Sequence, residues 1–360
     1  MDAKYTSRER CIRAIKREEV DLIPLNIWID APEPLKSLMK HLGVKKYEKL
    51  MSHFNIDYAP IYYQNSPGLN MVNLDLKGGF KEERFKDEKG RILFRNRFGV
   101  VSAFSYDGRT SMYVDHPLQK IDVDDFPWPY VDENSINKVV KLRKKYEDFC
   151  LMGFSLQAFE TACALFGYNE IFKRMFLKDK SVEKALDKLF EIAYTMAKLF
   201  LEAGVDEIYN GDDAGAEHTM LLSPEMWRKY LKPRYKKLAD LVHAKGAFLH
   251  FHSDGWIEPI IPDLIEIGVD VLEPLQPETM NPKKIKQEYG DKISFEGAIS
   301  IQRTLPFGTP EDVENEVKMR IKDLGPTGYI LRPSHTILRG TPLENIIRMY
   351  EAAQKYRKVS

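Results

Sequence analysis

Cysteine is scarce in this chain. Three residues of 360 are cysteine (Cys11, Cys150 and Cys163), and none forms a CxxC pair. An odd, scattered set speaks against a disulfide framework and fits a reducing compartment. Long apolar runs are missing too, and none approaches the ~18 residues a membrane helix needs. The opening MDAKYTSRERCIRAIKREEV is charged throughout and lacks the apolar centre of a secretory signal. A soluble, cytoplasmic protein is expected. Nor is there an excess of one charge: 54 Lys and Arg balance 54 Asp and Glu. That removes the usual ground for a nucleic-acid or membrane-surface partner. No glycine-rich phosphate loop follows any strand-like stretch, which counts against a dinucleotide-binding sheet.

What remains is 43% hydrophobic, enough to fill a sizeable core. Thr6 or Ser7 can cap a first helix carried by Arg8 to Lys16, with Cys11, Ile12 and Ile15 as its apolar stripe. Ile23 to Ile29 and Ile56 to Tyr63 read as buried strands. Residues 66–130 differ in character. Asp87 to Gly90 and Asp107-Gly108 are turn signals beside strand-like stretches at Arg91 to Phe94 and Gly99 to Phe104. This region reads as a β-hairpin insertion.

From residue 135 a rhythm of short apolar strand, turn and amphipathic helix sets in. Strands are expected near 149–155, 206–212, 247–253, 270–275, 293–298 and 328–333. Helices are expected at Ser181 to Ala203 and Ser223 to Lys245, the latter capped by Ser223 ahead of Pro224. With the two N-terminal strands this makes eight. Regular alternation implies parallel strands with right-handed crossovers, and eight units imply closure. The expected fold is a (β/α)8 TIM barrel spanning 1–360 as one domain, with an open doubly wound sheet as the alternative.

Such barrels place their chemistry at the carboxyl ends of the strands. Here those ends are unusually polar. One reads Tyr209-Asn210-Gly211-Asp212-Asp213, and the next reads His250-Phe251-His252-Ser253-Asp254. Glu273 and Gln276, then Glu296 and Ser300, then Ser334-His335 follow at later ends. Such groups cost several kcal/mol to bury without partners, so their gathering marks a candidate site. His250 and His252 share strand parity and should both point into the barrel. His250, the deeper, suits a hydrogen-bonded core role; His252 sits at the rim. Asp212 and Asp213 face opposite ways, so one can reach a ligand and the other can cap a turn. They are the candidate catalytic pair, with Tyr63, Asn210 and Gln276 as candidate substrate contacts.

At these residues the chain resembles the uroporphyrinogen decarboxylase superfamily, over nearly its whole length. The resemblance lies in TSRERCIRAIKREEVDLIPL, HPLQKIDVDDFPWP, HFHSDGWIEPIIPDLIEIGVDVLEPLQPE and GYILRPSHTILRGTPLENI. It implies a (β/α)8 barrel and one of two chemistries. One is cofactor-free decarboxylation of uroporphyrinogen. The other is zinc-assisted methyl transfer to or from a corrinoid protein. The decarboxylases carry an arginine-bearing segment after the first strand, which meets the substrate's carboxylates. The equivalent stretch here, NIWIDAPEPLKSL, has no arginine and instead carries Asp30 and Glu33.

The methyltransferases carry a His-x-Cys pair and a later Cys as zinc ligands. The matching positions here are His252-Ser253-Asp254 and His335. A carboxylate and an imidazole in place of thiolates still bind zinc, with more Lewis acidity. That suits polarising a C–O or C–N bond in a methyl donor. Strand order also brings His252, Glu273 and His335, from the fifth, sixth and eighth strands, to one mouth. His252, Asp254, Glu273 and His335 are therefore the candidate zinc ligands. The leading expectation is a methyltransferase between a small substrate and a corrinoid-carrying partner. The alternatives are a carboxy-lyase acting on a carboxylated substrate, with Asp212 or Asp213 and His335 as acid and base, and a non-catalytic member that only docks the corrinoid protein.

Overall fold

The computed structural model describes residues 4–29, 31–61, 70–104 and 111–359. Its strands, numbered along the chain, begin with β1 (Met71–Val72). There follow β2 (Leu76–Gly78), β3 (Glu83–Lys86), β4 (Ile92–Arg95), β5 (Val101–Phe104), β6 (Ser111–Asp115) and β7 (Pro129–Val131). The rest are β8 (Met152–Phe154), β9 (Glu207–Gly211), β10 (Phe248–His252), β11 (Val271–Glu273), β12 (Ser294–Ile299) and β13 (Tyr329–Pro333).

The central sheet is parallel throughout and ordered β1-β8-β9-β10-β11-β12-β13. Outside it, two short extended segments carry the hydrogen bonding onward. Leu25 bridges Leu331 in parallel, Asp57 N–H donates to Leu25 C=O at 2.9 Å, and Ala59 N–H donates to Cys150 C=O at 2.9 Å. This curled sheet is compatible with a TIM-barrel fold. The expectation of eight full strands is corrected to seven plus these two segments: 24–26 lies along β13, and 57–59 lies beside Cys150 on the side of β8 that β1 also takes. The reason is local. Pro24 has no N–H to give to a ladder. The Asn26 side chain takes the Ile27 N–H at 2.8 Å, in competition with any neighbouring strand.

The hairpin expected over 66–130 is also revised. β3 to β6 form a four-stranded antiparallel sheet, and β2 pairs separately with β7. Asp87 to Gly90 does turn the chain between β3 and β4: Gly90 N–H donates to Asp87 C=O at 2.9 Å. Asp107-Gly108 lies outside the described residues.

The first helix runs Ser7–Ile15, and Thr6 caps it in a reciprocal capping box with Glu9. The helix Lys180–Glu202 buries Leu186, Leu189, Phe190, Ala193, Ala197 and Phe200, a stripe at 3-to-4 spacing. Each such large side chain contributes about 1.5–3 kcal/mol by leaving water. The helix expected over 223–245 is two helices, Pro224–Tyr230 and Lys232–His243. Pro233 explains the break, since it lacks an N–H and its ring obstructs the carbonyl four residues back. Ser223 caps the first of them, accepting from Met226 N–H at 3.2 Å. Among the described residues, no helix is long and apolar enough to cross a membrane.

Candidate metal centre

Parallel strands packed on both faces should be apolar throughout. Here the outward residues obey: Ile208, Leu249, Phe251, Leu272, Phe295 and Leu331 are fully buried. The opposite parity does not. Glu207, Tyr209, His250, His252, Glu273, Glu296 and Arg332 are all at most 4% exposed and bond to one another across the sheet. His250 lies between two carboxylates, with Nδ1 2.8 Å from Glu207 and Nε2 2.9 Å from Glu296. Arg332 pairs with Glu273 and reaches Glu296 at 3.2 Å. Asn26 donates to Glu296 at 2.8 Å, while Tyr58 and Cys150 donate to Glu207 at 3.0 and 2.9 Å. Burial lowers the His250 affinity for a proton, but Glu296 and Glu207 outweigh it and raise its pKa. Both ring nitrogens thus face carboxylates.

Above this floor sits the rim. Register pairs His252 with Gly211 on one side and Glu273 on the other, so these ends stand at one height. His252 Nδ1 lies 2.6 Å from Glu273 Oε2, which also accepts from the Tyr209 hydroxyl at 2.9 Å. With an ionised glutamate the proton belongs on Nδ1, which leaves the Nε2 lone pair free to bind an electrophile. Gly211 makes room for the ring, because a Cβ there would lie 2.9 Å from the His252 Cβ. Gly255 does the same for the next loop. At φ +83°, it packs its backbone against Gly215 and Ala216, where no side chain fits.

His252, Asp254 and His335 converge. One donor atom from each lies within 4.8 Å of the others. Asp254 Oδ2 is 3.7 Å from His335 Nε2. Burial lifts the Asp254 carboxyl to about 6, against the opposing pull of His252. Donors on one tetrahedral zinc sit roughly 3.3 Å apart, so a modest inward rotation brings all three to a common ion. Two imidazoles and a carboxylate are a fitting set for zinc, and they leave a fourth position open. Glu273 is not in this trio; it stands behind His252.

Asp213 faces the same space, with Oδ1 3.7 Å from His252 Nε2 and 2.8 Å from the Asp254 N–H. Asp212 turns away and is buried. It accepts from the Tyr235 hydroxyl and from the Glu160 N–H at 2.8 Å. Burial, then the charge of Glu160, raises its pKa to about 8. Asn210 donates to Leu156 C=O at 2.7 Å and Gln276 accepts from Gly255 N–H at 2.9 Å, so both fasten loops. Tyr63 and Asp30 lie outside the described residues.

Three neighbours were not foreseen. Glu160, in the first turn of the helix Ala158–Phe166, accepts the Asp213 N–H at 3.1 Å; burial and then Asp213 raise its carboxyl to about 7. Trp28 stacks on His335 with centroids 4.5 Å apart and stands edge-on to His252 at 5.8 Å. Arg332, the third, was the most visible: an arginine inside the apolar run YILRP needs a buried partner.

Known proteins bear on this geometry. The methyltransferase structure from Methanosarcina mazei superposes with a TM-score of 0.66 at 22% identity, covering 98% of this chain and 99% of that one. It shares the fold. Among curated proteins, uroporphyrinogen decarboxylase of Trichodesmium erythraeum is 23% identical over 52% of this chain, which spans only 51% of that protein. Uroporphyrinogen decarboxylase 2 of Arabidopsis thaliana is 21% identical over 98% of this chain and 87% of its own length. The methylated-thiol–coenzyme M methyltransferase of M. mazei is 23% identical over 64% of this chain and 62% of its own. The family model described as Uroporphyrinogen decarboxylase (URO-D) matches residues 106–356, so the chain belongs to that family.

Proposed function

We propose that this chain is a zinc-dependent methyltransferase that moves a methyl group between a small substrate and a corrinoid carried by a partner protein. The observation that carries the reading is the trio His252, Asp254 and His335 at one rim. The similarity to a methylated-thiol–coenzyme M methyltransferase supports it. We read residues 1–360 as one barrel domain in the cytoplasm, closed through 24–26 and 57–59, with residues 66–130 as an insertion in it.

His252, Asp254 and His335 would hold the ion, which when bound supplies a Lewis acid that polarises the bond to the methyl group. The protein's own groups prepare the site. Glu273 keeps the His252 proton on Nδ1 and so presents Nε2. Asp213, beside Nε2, orients the substrate through a hydrogen bond. Glu160, lifted to about 7, holds a proton behind Asp213 and can release it to a departing group.

The decarboxylase relatives favour a second reading, a carboxy-lyase. The interior does not suit a polycarboxylate. Arg332 is 1% exposed and already paired with Glu273 and Glu296, and Arg339 pairs with Glu33 at 2.5 Å. The purified protein should bind about one zinc per chain, and His252→Ala or His335→Ala should abolish uptake. A chain that neither carries zinc nor takes it up at micromolar concentration defeats the reading. Uroporphyrinogen turnover at about 1 s⁻¹ or faster would establish the lyase instead.

A further inference from the structure

The two candidate imidazole ligands are unequal. His252 ends a strand with its side chain 5% exposed, whereas His335 follows β13 in a loop and its side chain is 32% exposed. A loop imidazole has more freedom to lose on binding an ion, and that loss weakens affinity unless something has already restrained it. Trp28 supplies such a restraint. Its ring lies 4.5 Å from the His335 ring at an interplanar angle of 30°, a stacked geometry. Its carbonyl also accepts the Ile337 N–H at 3.0 Å, tying the loop's backbone as well as its side chain.

Trp28 is itself anchored. The Arg332 guanidinium carbon sits 4.4 Å over the indole centroid, a cation–π distance. Arg332 in turn pairs with Glu273, the carboxylate on His252 Nδ1. A continuous set of contacts therefore runs His335, Trp28, Arg332, Glu273, His252. The Trp28 indole N–H is buried and has no hydrogen-bond partner among the described residues. Among the described residues, its contacts run through its ring faces and its carbonyl.

We infer that Trp28 is the positioning residue for the metal centre: through its stack on His335 and its seat on Arg332 it holds the two imidazoles at binding distance before any ion arrives. This rests on the metal reading above. Zinc titrated against a chromophoric chelator tests both. Trp28→Leu removes the stack and should weaken zinc affinity by about 10–100-fold, the usual effect of losing a group that orients a ligand. Trp28→Phe keeps an aromatic face and should stay within about 3-fold of wild type. In the metal-free protein, the His335 ring protons should resonate upfield in the wild type and Trp28→Phe, and move to ordinary positions in Trp28→Leu. Equal zinc affinity in Trp28→Leu and wild type, both folded by circular dichroism, overturns the inference and leaves the metal reading intact. No uptake by the wild type brings down the metal reading, and the inference with it.

Discussion

Asp212 and Asp213 are adjacent in the chain and opposite in circumstance. Asp212 is 1% exposed, with its carboxylate bound to Tyr235 and to the start of the helix Ala158–Phe166. Asp213 looks into the mouth. Asp212→Asn should lower the melting temperature while sparing zinc binding. Asp213→Asn should leave the melting temperature within about a degree and cut turnover at least 10-fold. Thermal melts beside an activity assay separate them, and equal loss of stability in both would make the pair a structural cap. Glu273→Gln should weaken zinc affinity and also cost stability. Breaking a buried ion pair by removing one partner typically costs about 3–5 kcal/mol, and Arg332 would keep only Glu296. Urea denaturation measures that cost. How far these roles could be read beforehand follows from what each signal depends on. His252 at the rim and His250 below it follow from strand parity, a local property. Trp28 gave no warning, because a tryptophan in an apolar strand is ordinary core, and only the fold brings it to His335. Glu160 was hidden in the apolar run AFETACALF, where a single acid in a first helical turn suits the helix dipole equally well.

The first helix shows how one element is fixed by charge. Arg10 is 3% exposed and bonds Asp21 at 2.8 Å and Asp57 at 2.5 Å; Arg357 adds a bond to Asp57 at 2.7 Å. Asp57 also accepts the Leu25 N–H at 2.9 Å, so helix, both N-terminal segments and the last residues meet at one carboxylate. Burial acts to raise the Asp21 carboxyl, yet the bonds from Arg10 win and set it at about 2. Its folded value is below the unfolded one of about 3.9. It therefore stabilises the fold above that pH, and the contribution fades as pH falls towards 2. The shift corresponds to about 2.5 kcal/mol. Denaturation of the wild type between pH 6 and pH 3 should show about half of this loss, and Asp21→Asn should be less stable at pH 6 with a flatter profile. An unchanged profile would place the acid sensitivity elsewhere. At this scale the rhythm of strands from residue 149 onward was legible, because each repeats the same apolar pattern. The break at Leu231 was signalled by Pro233 and outweighed by the surrounding helical periodicity. The short edges at 24–26 and 57–59 depend on side chains far away in sequence, which local pattern does not contain.

Across the whole molecule, two kinds of interior lie back to back. Outside the sheet, aliphatic and aromatic side chains pack against the helices, and single hydrophobic exchanges of similar volume cost under about 1.5 kcal/mol there. Inside, Glu207, Glu273 and Glu296 face His250 and Arg332, all of them buried. Removing any one of these strands a charge, and the loss of about 3–5 kcal/mol is a large part of a typical domain's 5–15 kcal/mol. A second change that removes the stranded partner should restore part of it. Arg332→Met and Glu296→Gln should each destabilise more than expected from the double variant, with a coupling of about 1–3 kcal/mol in a denaturation cycle. The consequence is historical as much as energetic. The outer layer can drift one residue at a time, while the charged axis has no viable single steps and must change as a block. Inheritance through such a sheet runs along its inner face: relatives that have lost most outward identity should keep these five residues together or exchange them together.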